Sequence, residues 1–152
     1  MCRLNMFNEA KILITGGCGY IGYNLAKELL SIGSETIVLF DLTPPKIQEE
    51  EDSNQNYAHV NYGKFRDQRH SIIYVEGDIR DYKCLNETIE NYHVNAVFHI
   101  AGFGLSGHSN LPVYDDITNS VNILGTKNVV RACIENNVKA LGNKIKFYNI
   151  II

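Results

Sequence analysis

The 152-residue sequence contains no apolar stretch approaching the roughly 20 residues a bilayer-spanning helix needs, so no membrane helix is expected. Met1 to Ala10 contains Arg3 and Glu9 and no apolar h-region, which argues against a secretory signal. There is no basic excess. Fourteen Lys and Arg face 17 Asp and Glu, a formal net charge of -3, which gives phosphates no attractive field and argues against a nucleic-acid partner. The four cysteines, Cys2, Cys18, Cys84 and Cys133, form no CxxC pair and read as reduced thiols of a cytoplasmic chain. The five histidines lack metal-ligand spacing, so no metal is expected. Asn86-Glu87-Thr88 matches the glycosylation pattern, but without an export signal it reads as an ordinary surface segment. No internal repeat and no second domain are visible.

What is present is an alternation of strands and helices. Ile12-Leu13-Ile14, within Lys11 to Thr15, is a short apolar run of the kind found in a strand buried on both faces. A helix is predicted from about Tyr20, with Ile21, Leu25 and Leu29 as its apolar stripe and Gly33 as its stop. Thr36 to Phe40 reads as a second strand closed by Asp41, and Pro44-Pro45 forbids regular continuation. Residues 43–70 are polar and aperiodic and read as a long inserted loop. Ser71 to Val75 is a third strand. Asp81 is placed to cap a helix carrying Leu85, Ile89 and Tyr92 on one face. Val94 to Ile100 reads as a fourth strand, and Gly102 to Pro112 as a Gly- and Ser-rich loop. One long helix is predicted from about Asp115 to Asn136, with Ile117, Val121 and Leu124 as its stripe and Asp115-Asp116 at the positive end of its dipole. Such alternation requires parallel pairing with crossovers, hence an α/β, Rossmann-type doubly wound sheet with helices on both faces.

The segment most specific for chemistry is Thr15-Gly16-Gly17-Cys18-Gly19-Tyr20-Ile21-Gly22, between a predicted strand and a predicted helix. It reads as GxGxxG from Gly17 or as GxxGxxG from Gly16. One glycine permits the tight turn, Gly19 lets backbone approach a pyrophosphate, and Gly22 lets the helix press on the sheet. The helix N-terminus offers free N–H groups and a positive partial charge. Asp41 closes the second strand about 20 residues on, where a carboxylate accepts hydrogen bonds from adenosine ribose hydroxyls and repels a 2′-phosphate. NAD is therefore expected over NADP. Gly77-Asp78-Ile79-Arg80 follows the third strand, at the edge where such a sheet opens its ligand crevice.

Together with Val97-Phe98-His99-Ile100-Ala101-Gly102 and Asn122-Ile123-Leu124-Gly125-Thr126-Lys127-Asn128-Val129, these segments resemble an extended short-chain dehydrogenase/reductase. Phe98 to Ala101 followed by Gly104-Leu105-Ser106-Gly107 is similar to the 3β-hydroxysteroid dehydrogenase/isomerase group, in its 42E-type branch. The resemblance covers about residues 11–141 and marks them as an NAD-binding domain. It implies that the loop Gly16, Gly17, Cys18, Gly19, Tyr20, Ile21 and Gly22 holds the cofactor. It further implies that Asp41 binds the ribose, Asp78 and Ile79 flank the adenine, and His99, Ala101 and Gly102 line the cofactor. Asn122 matches the asparagine of the following helix.

The activity implied is NAD-dependent oxidation of a secondary alcohol, a 3β-hydroxysteroid in steroid biosynthesis. A sugar-nucleotide epimerase or dehydratase shares the same first half and stands as the alternative, as does a nucleotide-binding module without catalysis. The family continues into a fifth strand ending in Ser or Thr, followed by a Tyr-x-x-x-Lys pair in which Lys lowers the pKa of the proton-transferring Tyr. Here the match ceases after Val138-Lys139-Ala140-Leu141. Gly142-Asn143-Lys144 reads as a turn and Ile145 to Ile152 as an unrelated strand-former, expected to pair beside the fourth strand in place of the fifth. Tyr148 is the only tyrosine of this tail, and its fourth neighbour is Ile152, so no downstream Tyr-x-x-x-Lys follows. The expectation is a C-terminally truncated chain with no catalytic residues, inactive alone, or a fragment whose open sheet edge leaves it unstable.

Overall fold

The computed structural model describes residues 10–43, 71–104 and 115–143. The expected insert loop falls almost wholly in 44–70, and the tail in 144–152, both outside the described residues. The strands are β1 (Lys11–Thr15), β2 (Thr36–Asp41), β3 (Ser71–Glu76), β4 (Ala96–His99) and β5 (Ala140–Asn143). All neighbours pair in parallel, in the order β3-β2-β1-β4-β5. The order reverses between β1 and β4, which opens a crevice beyond their carboxyl ends.

Both sheet faces are covered, because alternate residues of each strand point to opposite sides. Ile12 and Ile14 of β1, with Ile37 and Leu39 of β2, pack under α1 (Tyr20–Ser31) through Ala26, Leu29 and Leu30. Leu13, Val38, Phe40 and Val97 face the other way. They meet Leu85 and Ile89 of α2 (Tyr82–Asn91) and Val129, Ala132 and Cys133 of α4 (Thr126–Glu135). Each such fully buried side chain contributes roughly 1.5–3 kcal/mol of hydrophobic stabilisation. Asp81 caps α2 as expected, accepting from the Cys84 N–H at 3.1 Å. Gly33 follows the last turn of α1 at φ +96°, a conformation a side chain would strain.

Three expectations require correction. The buried stripe of α1 is Gly22, Ala26, Leu29 and Leu30; Ile21 is 48% exposed and Leu25 only half-buried. The long helix is not one α-helix. It begins as α3 (Asp115–Asn119), widens into a π-helical stretch (Ser120–Gly125) and returns to α-geometry in α4. The wider π turns rotate the side-chain register, so Ile117 and Leu124 are exposed while Gly125, Val129, Ala132 and Cys133 are buried. Finally, Gly142 and Asn143 are strand rather than turn. With Ala140 and Leu141 they take the flank of β4 on which residues 146–152 were expected, pairing His99 with Asn143. The strand β4 itself is shorter than predicted, Ala96–His99.

Candidate nucleotide-binding cleft

The glycine loop is held by its own backbone. Gly16 sits at φ +68°, and a Cβ there would lie 2.7 Å from the Ala101 nitrogen, so the turn closes against the end of β4. Its N–H donates to the Phe40 carbonyl at 2.8 Å, tying the loop to β2 as well. At Gly22 a Cβ would collide with the Gly16 carbonyl oxygen and with Gly17 Cα, so a side chain would push α1 off the loop. Gly19 is different. It is the N-cap of α1 with φ −78°, and a Cβ there would meet nothing nearer than Gly16 O at 3.4 Å, an ordinary contact. Nothing within the chain requires glycine at position 19. No side chain caps α1 either, so the positive end of its dipole faces open space.

That space is a cleft of about 450 Å³ at the reversal between β1 and β4. It brings together ten of the expected residues: Gly16, Gly19, Tyr20, Ile21, Gly22, Asp41, Asp78, Ile79, Ala101 and Gly102. Ile21 and Ile117, exposed against the expectation of core stripes, are cleft walls. Asp41 Oδ2 accepts from the Cys18 N–H at 3.0 Å and Oδ1 from the Thr43 N–H at 3.4 Å. Each carboxylate oxygen keeps further acceptor capacity toward the cleft.

Four expected residues do not line the cleft, which corrects their direct role. Gly17 is buried against Leu39 and Ile14. Cys18 contributes its backbone N–H to Asp41, while burial and then the Asp41 charge push its thiol up to about 12. His99 lies 2% exposed beneath the floor, Nδ1 2.7 Å from Thr15 Oγ1 and Nε2 3.0 Å from Thr126 Oγ1. Burial lowers its pKa to about 4 and keeps the imidazole neutral. It fastens β1 and β4 to α4. Asn122, inside the π stretch, grips the Phe103 backbone through both its N–H and carbonyl, each at 2.8 Å. Phe103 in turn lines the cleft.

Sequence reasoning missed Phe40, Leu42, Gly77, Arg80, Ile100 and Phe103 as cleft residues. Arg80 was legible as the last residue of Gly77-Asp78-Ile79-Arg80. Its Nε donates to both Asp78 oxygens, at 3.0 and 2.8 Å. These hydrogen bonds hold the Asp78 carboxyl below the usual carboxylate range. Asn128 secures the same turn, donating to the carbonyls of Ile79 at 3.0 Å and Arg80 at 2.9 Å. One Tyr-x-x-x-Lys pair does exist in the chain, Tyr23 and Lys27 on α1. Tyr23 packs against the core cluster under α1, and neither residue lines the cleft. Burial raises the Tyr23 pKa, the reverse of what proton transfer near neutral pH requires.

A family model described as polysaccharide biosynthesis protein matches residues 12–142. The chain belongs to that family. It is an extended short-chain dehydrogenase/reductase, and the chains it is similar to share that architecture. Short-chain dehydrogenase/reductase family 42E member 1 of Danio rerio is 36% identical over 133 residues, which are 88% of this chain and 28% of that protein. Bifunctional protein GAL10 of Candida maltosa is 31% identical over 132 residues, 85% of this chain and 76% of that protein. Among solved structures, the enzyme WbmH of Bordetella bronchiseptica, in complex with NAD+, is 27% identical with a TM-score of 0.60. That match covers 87% of this chain and 37% of WbmH. The chain thus spans about a quarter of the length of the Danio rerio relative.

Proposed function

We propose that this chain forms the adenosine and pyrophosphate half of the NAD site of an oxidoreductase acting on a secondary alcohol. The observation that carries the reading is Gly19, whose missing side chain opens onto the cleft at an uncapped helix N-terminus and serves no packing need. A pyrophosphate fits there, since backbone N–H groups and the helix dipole favour anions. Asp41 would hold the ribose hydroxyls and exclude a 2′-phosphate, and the turn at Asp78 and Ile79 would flank the adenine. The NAD+ complex of WbmH, a structural relative, supports the same assignment. Bound there, NAD supplies a hydride acceptor for alcohol oxidation. The described residues bind and orient it, and none on the cleft has the Tyr-x-x-x-Lys arrangement that moves the hydroxyl proton. Calorimetry on the purified chain tests the reading: NAD binds more tightly than NADP, and equal or tighter binding of NADP removes Asp41 from the ribose role.

Two substrate classes go with this cofactor. The 42E-type resemblance and relative support a 3β-hydroxysteroid. The polysaccharide-biosynthesis family favours a sugar nucleotide, since polysaccharides are built from activated sugars. Saturation-transfer NMR on the NAD-loaded chain, with a 3β-hydroxysteroid and with UDP-glucose in parallel, separates them. Signal from one alone retires the other.

A further inference from the structure

Arg80 is the one basic side chain among the described residues lining the cleft, against the two carboxylates of Asp41 and Asp78. It stands near the ribose end. The Gly77 N–H donates to the Asp41 carbonyl at 2.9 Å, and Asp41 and Glu76 are register partners, so the turn that carries Arg80 starts beside Asp41. A guanidinium there has the fork geometry and charge to take a phosphate monoester. Its engagement with Asp78 prevents this. The Nε reaches both carboxylate oxygens, an Nη reaches Oδ2 at 2.5 Å, and the Arg80 N–H donates to Oδ1 at 2.8 Å. The turn backbone is fixed independently by Asn128 and by the Asp81 N–H donating to the Asp78 carbonyl at 2.9 Å. The Arg80 and Asp78 side chains are 40% and 25% exposed, so the guanidinium can swing on its own stem while the backbone stays in place.

We propose that Asp78 determines cofactor selectivity by gripping Arg80, withholding from the ribose end of the cleft a cation that would otherwise receive a 2′-phosphate. This rests on the NAD reading above and adds a second layer to it. Asp41 repels the extra phosphate directly, while Asp78 keeps its natural receptor occupied.

The test is calorimetric affinity for NAD and NADP on the purified 152-residue chain and on three variants: Asp78→Asn, Arg80→Gln and the double variant. Any contact of position 78 with adenine is common to both ligands and cancels in the affinity ratio. Asp78→Asn shifts the ratio toward NADP by about five- to tenfold, the scale of one charge-assisted contact at a partly exposed site. The double variant loses that gain, and Arg80→Gln alone moves the ratio further toward NAD. An unmoved ratio in Asp78→Asn overturns the proposal. An equal gain in the double variant does so too, because the Asp78 charge would then act without Arg80. Thermal melts confirm folding, and Arg80→Gln, at an exposed side chain, keeps the test open if Asp78→Asn unfolds. Wild type that binds neither dinucleotide overturns the cofactor reading itself. Wild type that binds NAD while the ratio stays fixed overturns only the role of Asp78.

Discussion

Gly19→Ala and Gly22→Ala are expected to act in opposite directions, though they place the same methyl three residues apart in one loop. At Gly22 the methyl would meet Gly16 O and, at 2.7 Å, Gly17 Cα, both backbone atoms that cannot turn aside. The helix α1 must retreat, at a cost of about 1–3 kcal/mol for overpacking, or a melting temperature lower by roughly 3–10 °C for a chain of this size. At Gly19 the backbone is already in an extended conformation that alanine adopts freely, and the nearest atom stands 3.4 Å away. Alanine there narrows the unfolded ensemble and stabilises by about 0.4–1 kcal/mol, raising the melting temperature by roughly 1–3 °C. The same methyl occupies the place where a pyrophosphate must approach the N–H groups. Losing one or two charge-assisted hydrogen bonds lowers NAD affinity by about tenfold or more. Differential scanning fluorimetry and calorimetry on the two variants read both quantities. A Gly19→Ala chain that melts lower, or that keeps wild-type NAD affinity, would refute the reasoning, because position 19 would then be glycine for a reason inside the fold.

Lowering the pH should destabilise the chain through His99. Its folded pKa, depressed to about 4, lies below the unfolded value of 6.5, so the unfolded state takes up the proton first. The stability lost between about pH 6.5 and pH 4 is on the order of 3 kcal/mol. Urea melts across that window should show a steep slope in wild type and a flatter one in His99→Gln, and parallel slopes would contradict the assignment. Asn122→Ala should cost about 1–2 kcal/mol through the two lost bonds to Phe103, read as a shift in the urea midpoint; no shift would show the clamp to be inessential. The 152-residue chain with NAD and a 3β-hydroxysteroid should produce no NADH above the no-protein control. Production abolished by Gly19→Asp would reveal a proton-transfer group on the cleft that the structure does not show.

The first half of the fold is legible because its signals are local. Three consecutive apolar residues in β1, glycines at its end, and Asp41 after a second β-branched run are each readable without knowing what they pack on. The misreadings arise where tertiary contact overrides periodicity. Ile21 and Ile117 fall at helical spacing with other apolar residues, yet both face the cleft, since an apolar ligand wall and a core stripe look alike in sequence. The π stretch at Ser120–Gly125 shifts the register of everything after it, and no composition rule marks it. Gly142 and Asn143 carry the chemistry of a turn. They become strand because β4 presents an open row of backbone groups and Ala140 and Leu141 already follow it. His99 looks like a site residue by family position, and only its two threonine partners show it to be a fastener beneath the floor. Arg80 was hidden by its neighbour: a charged residue two places from an aspartate reads as a solvated turn until both are seen to share the cleft wall.

The most direct test of the central claim is the amide spectrum of isotopically labelled chain titrated with NAD. The cleft assignment requires shifts concentrated at Gly16 to Gly22, at Asp41 and at Asp78 to Arg80, with the exposed face of α4 around Val130 and Ile134 unmoved. Shifts centred on α4, or none at millimolar NAD, would contradict it.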